Sequence, residues 1–498
     1  MSEEVPKTRR ELITLIFKIA FLEAMALSLI LPSVISTGEI PSPFPLATTY
    51  LVKAPSLNTY QAFVSGGSGS PIFTESNFTF LINNDIFTSK ACSIGCSIHL
   101  NDGIYNETQT TLINMPKISF DGSTSAIVRP QNVTGWNASL NKAAFALSST
   151  NTVLRGFTID DASRVGTLNT GDSIYGTPTS SSVLIDSLTV QNSTSDAVNI
   201  QGSNYIITLS TLQGPIPPAF TTNYGILMGS TTKGVRIDKN SISRFNYTDT
   251  SAIQSSNGAS FISITGNDLF ANSFGVSSTW GKFLTISGNT IHNNYAAGVL
   301  LTTSAVSSVA AGPAVISGNT ITDNALEPNN DVICNSGHCP GIMIRGTRPS
   351  WDSVAITGNT IKDTQASPTQ KYDINIISTQ YSNLTITGNS LGRTSSGIPI
   401  NIAVTPLASW LISANSGVPL TIRGPLTAGA TPFTYFNNDP YMEQLEIITI
   451  GDMTNLSCKG IAEIIQVDAV TPVLNMRDSC IFTYIVNAPT YDILPIQG

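Results

Sequence analysis

The chain has 498 residues, only 11% of them charged, and a formal net charge of −8. That length can hold a large core and more than one domain, while the acidic, charge-poor balance excludes a nucleic-acid-binding surface. With so few titrating groups, stability is expected to depend only weakly on pH, which would suit an acidic or otherwise harsh external medium.

At the N-terminus Lys7, Arg9 and Arg10 precede a mostly apolar stretch from Leu12 to Ile35. Lys18 and Glu23 interrupt it, and each would cost about 2.5–3.5 kcal/mol at the centre of a spanning helix. The uninterrupted part, Ala24 to Ile35, is short for a span and suits the apolar region of an export signal. Residues 1–36 are therefore read as a hydrophobic helix: a signal first, a membrane anchor or docking helix second. Any membrane contact is expected through residues 12–35. Residues 37–75, dotted with Pro, Ser and Gly, read as a linker or N-terminal cap.

Between residues 235 and 415 one phrase keeps returning, and the earlier rungs, such as Val183-Leu-Ile-Asp-Ser-Leu188 and Tyr205-Ile-Ile207, are more degenerate. The phrase reads Val235-Arg-Ile-Asp-Lys-Asn240, Ile262-Ser-Ile-Thr-Gly-Asn267, Leu284-Thr-Ile-Ser-Gly-Asn289 and Ala314-Val-Ile-Ser-Gly-Asn319. It recurs as Val354-Ala-Ile-Thr-Gly-Asn359, Leu384-Thr-Ile-Thr-Gly-Asn389 and, more loosely, Leu411-Ile-Ser-Ala-Asn415. A constant core with variable spacers marks a stack of similar units. Within each unit, apolar and polar residues alternate as in a strand with one buried face. The Gly-Asn that follows tolerates a tight bend. Three short strands in as few as 22 residues leave no room for a strand–helix repeat, so each turn of chain must stack on the last as a parallel coil. The asparagines would then form an internal ladder that satisfies buried polar groups.

The Ile-Thr/Ser-Gly-Asn-Thr-Ile phrase, followed by Gly and a hydrophobic run, resembles the right-handed parallel β-helix repeat of pectin-degrading enzymes, sugar-binding proteins and viral tailspikes. The resemblance spans about Cys92 to Pro425, and Ile98-His-Leu-Asn-Asp-Gly-Ile-Tyr resembles the first rung of such helices. It implies an all-β, right-handed parallel β-helix (solenoid) over residues 76–428, of about eleven rungs at ~4.8 Å each. It implies little about activity, because one fold hosts many functions.

After Pro425 the repeat stops. Leu445-Glu-Ile-Ile-Thr-Ile, Ile461-Ala-Glu-Ile-Ile-Gln-Val and Ile481-Phe-Thr-Tyr-Ile-Val predict antiparallel strands, and residues 429–498 read as a small C-terminal β-sandwich covering the last coil. The six cysteines fall into near-neighbour pairs: Cys92 with Cys96, Cys334 with Cys339, and Cys458 with Cys480. Local pairing in even number predicts disulfides and an oxidising compartment. Zinc is the rival, weakened because His338 is the one nearby histidine. Eight Asn-x-Ser/Thr sequons, among them Asn77, Asn137, Asn246 and Asn383, are no more than an Asn-, Ser- and Thr-rich chain produces by chance.

In enzymes of the resembled family, active groups usually project from the strand after the long turn. Alternation there exposes Asn199, Leu227, Gln254, Ser277, Leu300, Met343, Asn375 and Asn401, a column without carboxylate, lysine or histidine. Glycoside hydrolysis wants two carboxylates roughly 5–10 Å apart, and neither these nor a lyase's base and cation stand on that column. The fallback catalytic candidates are Asp160, Asp161, Asp172 and Asp196; the adjacent Asp160 and Asp161 read as two solvated acids in a turn. His99, His292 and His338 read as lone polar histidines, so no metal and no cofactor are expected. Tyr205, Trp280, Lys282, Arg345, Arg348, Trp351 and Tyr381 are candidate ligand-binding residues, since aromatic faces and guanidinium forks suit sugar rings and acidic glycans. The bland alternative is that they cap the column or meet a neighbouring subunit.

The sequence thus reads as an exported surface or virion-spike protein that binds surface glycans or envelope proteins without catalysis. A polysaccharide lyase or glycoside hydrolase with a diverged acidic site, and a purely structural spike subunit that could assemble as a trimer, are the alternatives.

Overall fold

The computed structural model describes residues 48–496 apart from 54–58, 67–68, 166, 168–169, 217–222, 248, 257, 280, 304–310, 327–338, 347–352, 378–382, 393, 397, 404–410, 418–422, 429, 437–441, 450–452, 459–460, 464–472, 475–478 and 485–487. The expected N-terminal helix lies outside the described residues. Among those described, no helix is long and apolar enough to cross a membrane.

The chain climbs in coils that visit three parallel sheets in turn. The long sheet has 15 strands, and the second and third have 11 each, matching the expected number of rungs. The repeated phrase supplies the long sheet in one register: Ile262 lies beside Leu284, Leu284 beside Ala314, Ala314 beside Val354, and Val354 beside Leu384. Alternation does the sorting. Ile264, Ile286, Ile316, Ile356 and Ile386 stack fully buried along the axis, while Thr265, Ser287, Ser317, Thr357 and Thr387 between them face out. Each buried aliphatic side chain contributes about 1.5–3 kcal/mol.

The ladder forms where the long sheet turns into the second. Asn240 Nδ2 donates to Asn267 Oδ1 at 3.0 Å, Asn267 to Asn289 at 2.9 Å and Asn289 to Asn319 at 2.9 Å. It continues through Asn359 and Asn389 to Asn415. The second proton of each amide goes to a backbone carbonyl of the preceding coil, as from Asn289 to Ile264. The glycines before these asparagines sit at positive φ, 63° at Gly288 for example, a conformation that glycine adopts without penalty. A second ladder, unforeseen in the sequence, runs at the next corner from Asn272 to Asn294 to Asn324.

The segment expected as linker or cap adds strands to the open end. Thr49–Lys53 pairs in parallel with Cys96–Leu100 and antiparallel with Tyr60–Val64. A helical stretch over residues 78–86 then seals the column, with Phe78, Leu81, Ile82 and Ile86 fully buried. The Cys92–Cys96 disulfide ties this cap to the first strand. At the other end, two four-stranded antiparallel sheets share an apolar cluster in which Leu445 and Tyr491 of one meet Leu456 and Phe482 of the other. The Cys458–Cys480 disulfide joins two paired strands there. Cys339 is buried; its expected partner Cys334 lies outside the described residues.

One expectation about the third sheet fails. Its outward column is in register as foreseen, yet it is not an exposed face. Leu300 and Met343 are almost wholly buried, in an outside cluster with Phe274, Ala296, Ala297, Ala325 and Cys339. Alternation predicts which way a side chain points, and it does not predict what loops fold over it.

Candidate functional site

The third-sheet strands Ile174–Gly176 and Val198–Ile200 pair in parallel, with Ile174 beside Val198. Two residues before each strand stands an aspartate, Asp172 on one coil and Asp196 on the next. Backbone bonds carry the register into this corner, where Ser173 N donates to Asp196 O at 2.9 Å. The two backbones are therefore about one strand spacing apart, ~4.8 Å. Both aspartates line a cleft of about 380 Å³, together with Asn141, Lys142, Thr170, Ser195, Tyr224 and Leu227.

Every carboxyl oxygen of the pair is held. Asp172 Oδ2 accepts from Asn141 Nδ2 at 2.9 Å, and its Oδ1 from the Asp196 backbone at 3.2 Å. Asp196 Oδ2 accepts from Asn199 Nδ2 at 2.9 Å, and its Oδ1 from the Tyr224 backbone at 3.0 Å. Gln201 in turn fixes the Asn199 amide. Burial disfavours the charged forms. It raises the Asp172 pKa to about 6 against those stabilising bonds. Asp196 is pushed well above the usual carboxylate range, first by burial and then by the neighbouring Asp172 charge. A carboxyl pair whose proton affinities are raised in a cleft is a mark of a functional site.

Asp160 and Asp161 are not the solvated acids expected. Asp160 is 5% exposed and pairs with Arg129 at 3.0 Å and with Asn192 at 2.9 Å. Asp161 is fully buried against Arg164, itself fully buried. The reason is the corner geometry: the chain bends inward after the strand Thr158–Asp160, so consecutive acids take separate partners. Arg164 also donates to the carbonyls of Lys142 at 2.7 Å and Gly171 at 3.3 Å, and Asp161 accepts from Thr194 Oγ1 at 3.0 Å. The pair thus ties together Lys142 and Gly171, which line the cleft, and Thr194, next to the lining Ser195. Trp136 lies over the guanidinium at 4.8 Å.

Of the aromatic and cationic candidates, Tyr205, Lys282 and Arg345 lie among the described residues. Tyr205 points into the core between Val183 and Val235, is 1% exposed, and bonds Ser180 through its hydroxyl; burial raises its pKa. It is a core residue, not a surface aromatic. Lys282 begins a long-sheet strand beside Ser260, and Arg345 follows the third-sheet strand Pro340–Ile344, its backbone bonded to Leu301. Trp280, Arg348, Trp351 and Tyr381 lie outside the described residues. Nor are the histidines lone: His99 pairs with Asp121, and His292 with Asp268 at 3.0 Å. His338 lies outside the described residues.

The sequence named Asp172 and Asp196 in one acidic set with Asp160 and Asp161, without singling out the two that line the cleft. Their shared position, two residues before an aligned strand, was the available signal.

Comparison with known proteins places the architecture. The family model described as right-handed beta helix region matches residues 172–348. No curated protein sequence matches the chain. Among solved structures, the DFA-IIIase from Arthrobacter chlorophenolicus A6, in complex with GF2, is similar at TM-score 0.50 and 14% identity, over 68% of this chain and 89% of that one. The Dettilon tailspike protein is similar at TM-score 0.46 and 12% identity, over 80% and 87%. The A-module of the Azotobacter vinelandii mannuronan C-5 epimerase AlgE4 is similar at TM-score 0.40 and 14% identity, over 63% and 91%. At such identities the likeness is one of fold alone. With coil register, ladder and family match in agreement, the chain is a right-handed parallel β-helix protein.

Proposed function

We propose that the protein is an exported, surface-displayed glycan-binding β-helix whose ligand seats in the Asp172–Asp196 cleft. The observation that carries this reading is the fixed carboxyl pair lining a solvent-open cleft, among amide and hydroxyl groups. Small-ligand sites combine such a few placed polar groups with an apolar contact, here Leu227. The Cys92–Cys96 and Cys458–Cys480 disulfides are compatible with an oxidising, external location. The test is a glycan array with wild type and Asp196→Asn. Retained glycans lost in the variant support the reading; glycans retained equally by both, or none at all, overturn it and favour a purely structural rod.

A second reading, glycoside hydrolysis with Asp172 as proton donor, draws on its raised proton affinity, the property a general acid needs near neutral pH. Release of reducing ends from bound glycans, abolished by Asp172→Asn, would establish it. Binding without product release would dismiss it.

A further inference from the structure

We infer that Asn137 is an N-glycosylation site, the acceptor of an oligosaccharide transferred from a lipid-linked sugar phosphate. This rests on the export part of the proposed function, because such transfer takes place on the non-cytoplasmic side of a membrane. The number of sequons is what chance gives, but the structure separates them by what each amide is doing. Asn77 Nδ2 is spent on Thr108 Oγ1 at 2.7 Å, and Asn192 Nδ2 on Asp160 at 2.9 Å. Asn246 buries its amide oxygen. Asn106, Asn383 and Asn455 stand in paired strands. There the extended backbone sets residues i and i+2 roughly 6.5 Å apart, and a bend toward each other would break ladder bonds.

Asn137 differs on each count. It is exposed, and it opens the short turn Ala138–Leu140 rather than a strand, the kind of surface loop in which an acceptor sequon belongs. Its Oδ1 accepts from the Ser139 backbone at 3.0 Å and from the Ser139 hydroxyl at 2.7 Å. The hydroxyl that completes the sequon is thus already folded onto the amide. Asn137 Nδ2 has no partner among the described residues. The turn is held from both sides. Trp136, 7% exposed, donates to Gln131 O at 3.0 Å and lies over Arg164, while Asn141 bonds Asp172.

The chemistry uses that arrangement. Two hydrogen bonds to Oδ1 draw electron density toward oxygen and acidify the Nδ2 protons. Nδ2 attacks the anomeric carbon of the donor, and the new C–N bond forms as the bond from that carbon to the phosphate oxygen breaks. The phosphate leaves with the electron pair, and one Nδ2 proton passes to a base of the transferase. A bulky, solvated product fits here, because the amide nitrogen gives up no protein bond. The adjacent Ala138 lines the Asp172–Asp196 cleft, so the oligosaccharide would stand beside that cleft.

The experiment incubates the purified, folded full chain with an asparagine oligosaccharyltransferase and a lipid-linked oligosaccharide, then locates the glycan by glycopeptide mass spectrometry. Asn132, exposed earlier in the same loop, satisfies the sequon equally and is the internal control. The folded chain is expected to gain one glycan, at Asn137. Ser139→Ala is expected to lose it and Ser139→Thr to keep it, both with unchanged circular dichroism. Thr134→Ala, which removes the Asn132 sequon, is expected to leave it in place. Reduction and unfolding beforehand should spread the modification to other sequons. A folded chain left bare at Asn137, or modified as fully at Asn132 or in a strand, overturns the inference. Expression of the full chain in a secreting, glycosylating host separates it from the parent reading. A chain that accepts the glycan when purified yet stays in the cytoplasm overturns export, and a secreted chain bare at Asn137 overturns this inference alone.

Discussion

Arg164 grips Asp161 with both Nε and Nη2, the latter at 2.8 Å, and neither side chain reaches solvent. A pair this deep is costly to break, because one uncompensated charge would stay behind. Arg164→Met is expected to lose about 3–5 kcal/mol of stability, measured by urea unfolding. Asp161→Asn combined with Arg164→Met is expected to recover part of it, since no net charge then remains buried. A double variant as unstable as the single one would show that the guanidinium's backbone bonds, rather than charge, set the cost.

The ladder predicts a larger effect than its residue type suggests. In Asn289→Ala the Asn267 amide loses its acceptor and the Ile264 carbonyl loses a donor. Unpaired buried groups cost about 1–3 kcal/mol each, so a loss of roughly 2–5 kcal/mol is expected in equilibrium unfolding. A loss below about 1 kcal/mol would mean that water replaces the amide.

Asp373 supplies a pH dependence opposite in sign to that of an ordinary paired carboxylate. Burial raises its pKa to about 8 from 3.8, so the folded form holds a proton that the unfolded chain has released. Its stabilising contribution is complete below about pH 4. It declines as pH rises and is lost once pH passes the folded value of about 8. Glu107 and Asp196 are raised in the same direction, both chiefly by burial. Melting temperature should therefore fall from pH 4 to pH 8, a stronger dependence than the scarcity of charged residues implied. Asp373→Asn should flatten that slope, because its amide can donate to the partnerless Gln370 Oε1 and accept from the Gly392 backbone. An unchanged slope would place the effect at other carboxyls.

Leu209 occupies a bend at φ 53° and is 58% exposed. Left-handed backbone costs a branched residue about 1–2 kcal/mol, partly offset by glycine's greater freedom when unfolded. Leu209→Gly is expected to stabilise by about 0.5–1 kcal/mol, read as a shift in the urea midpoint with unchanged slope.

The coils were legible because the phrase ending in Asn267, Asn289 and Asn319 repeats both chemistry and register. The second ladder was not, although Asn272, Asn294 and Asn324 keep a constant offset from the first. The residues before them, Phe270-Ala, His292-Asn and Thr322-Asp, share no pattern to draw attention. The site was half legible. Asp172 and Asp196 could be named from composition, but loops of unequal length hide which turns become neighbours. Arg164 went unnoticed because a charged side chain on a short turn reads as solvated, and only the inward bend after Asp160 makes it a core residue. Tyr205 failed for the converse reason: its rung was too degenerate to show which alternate positions faced the axis.

The unequal spacing of the ladder asparagines has a consequence for the molecule's history. Along the ladder from Asn240 to Asn415 each coil bonds only its two neighbours, and each neighbour offers the same amide and carbonyl. A coil such as residues 268–289 could be excised or copied, leaving the joint chemically identical to the one it replaced. Rod length is thus a quantity that duplication can tune, so long as the sealed first turn and the closing sheets travel with the two ends.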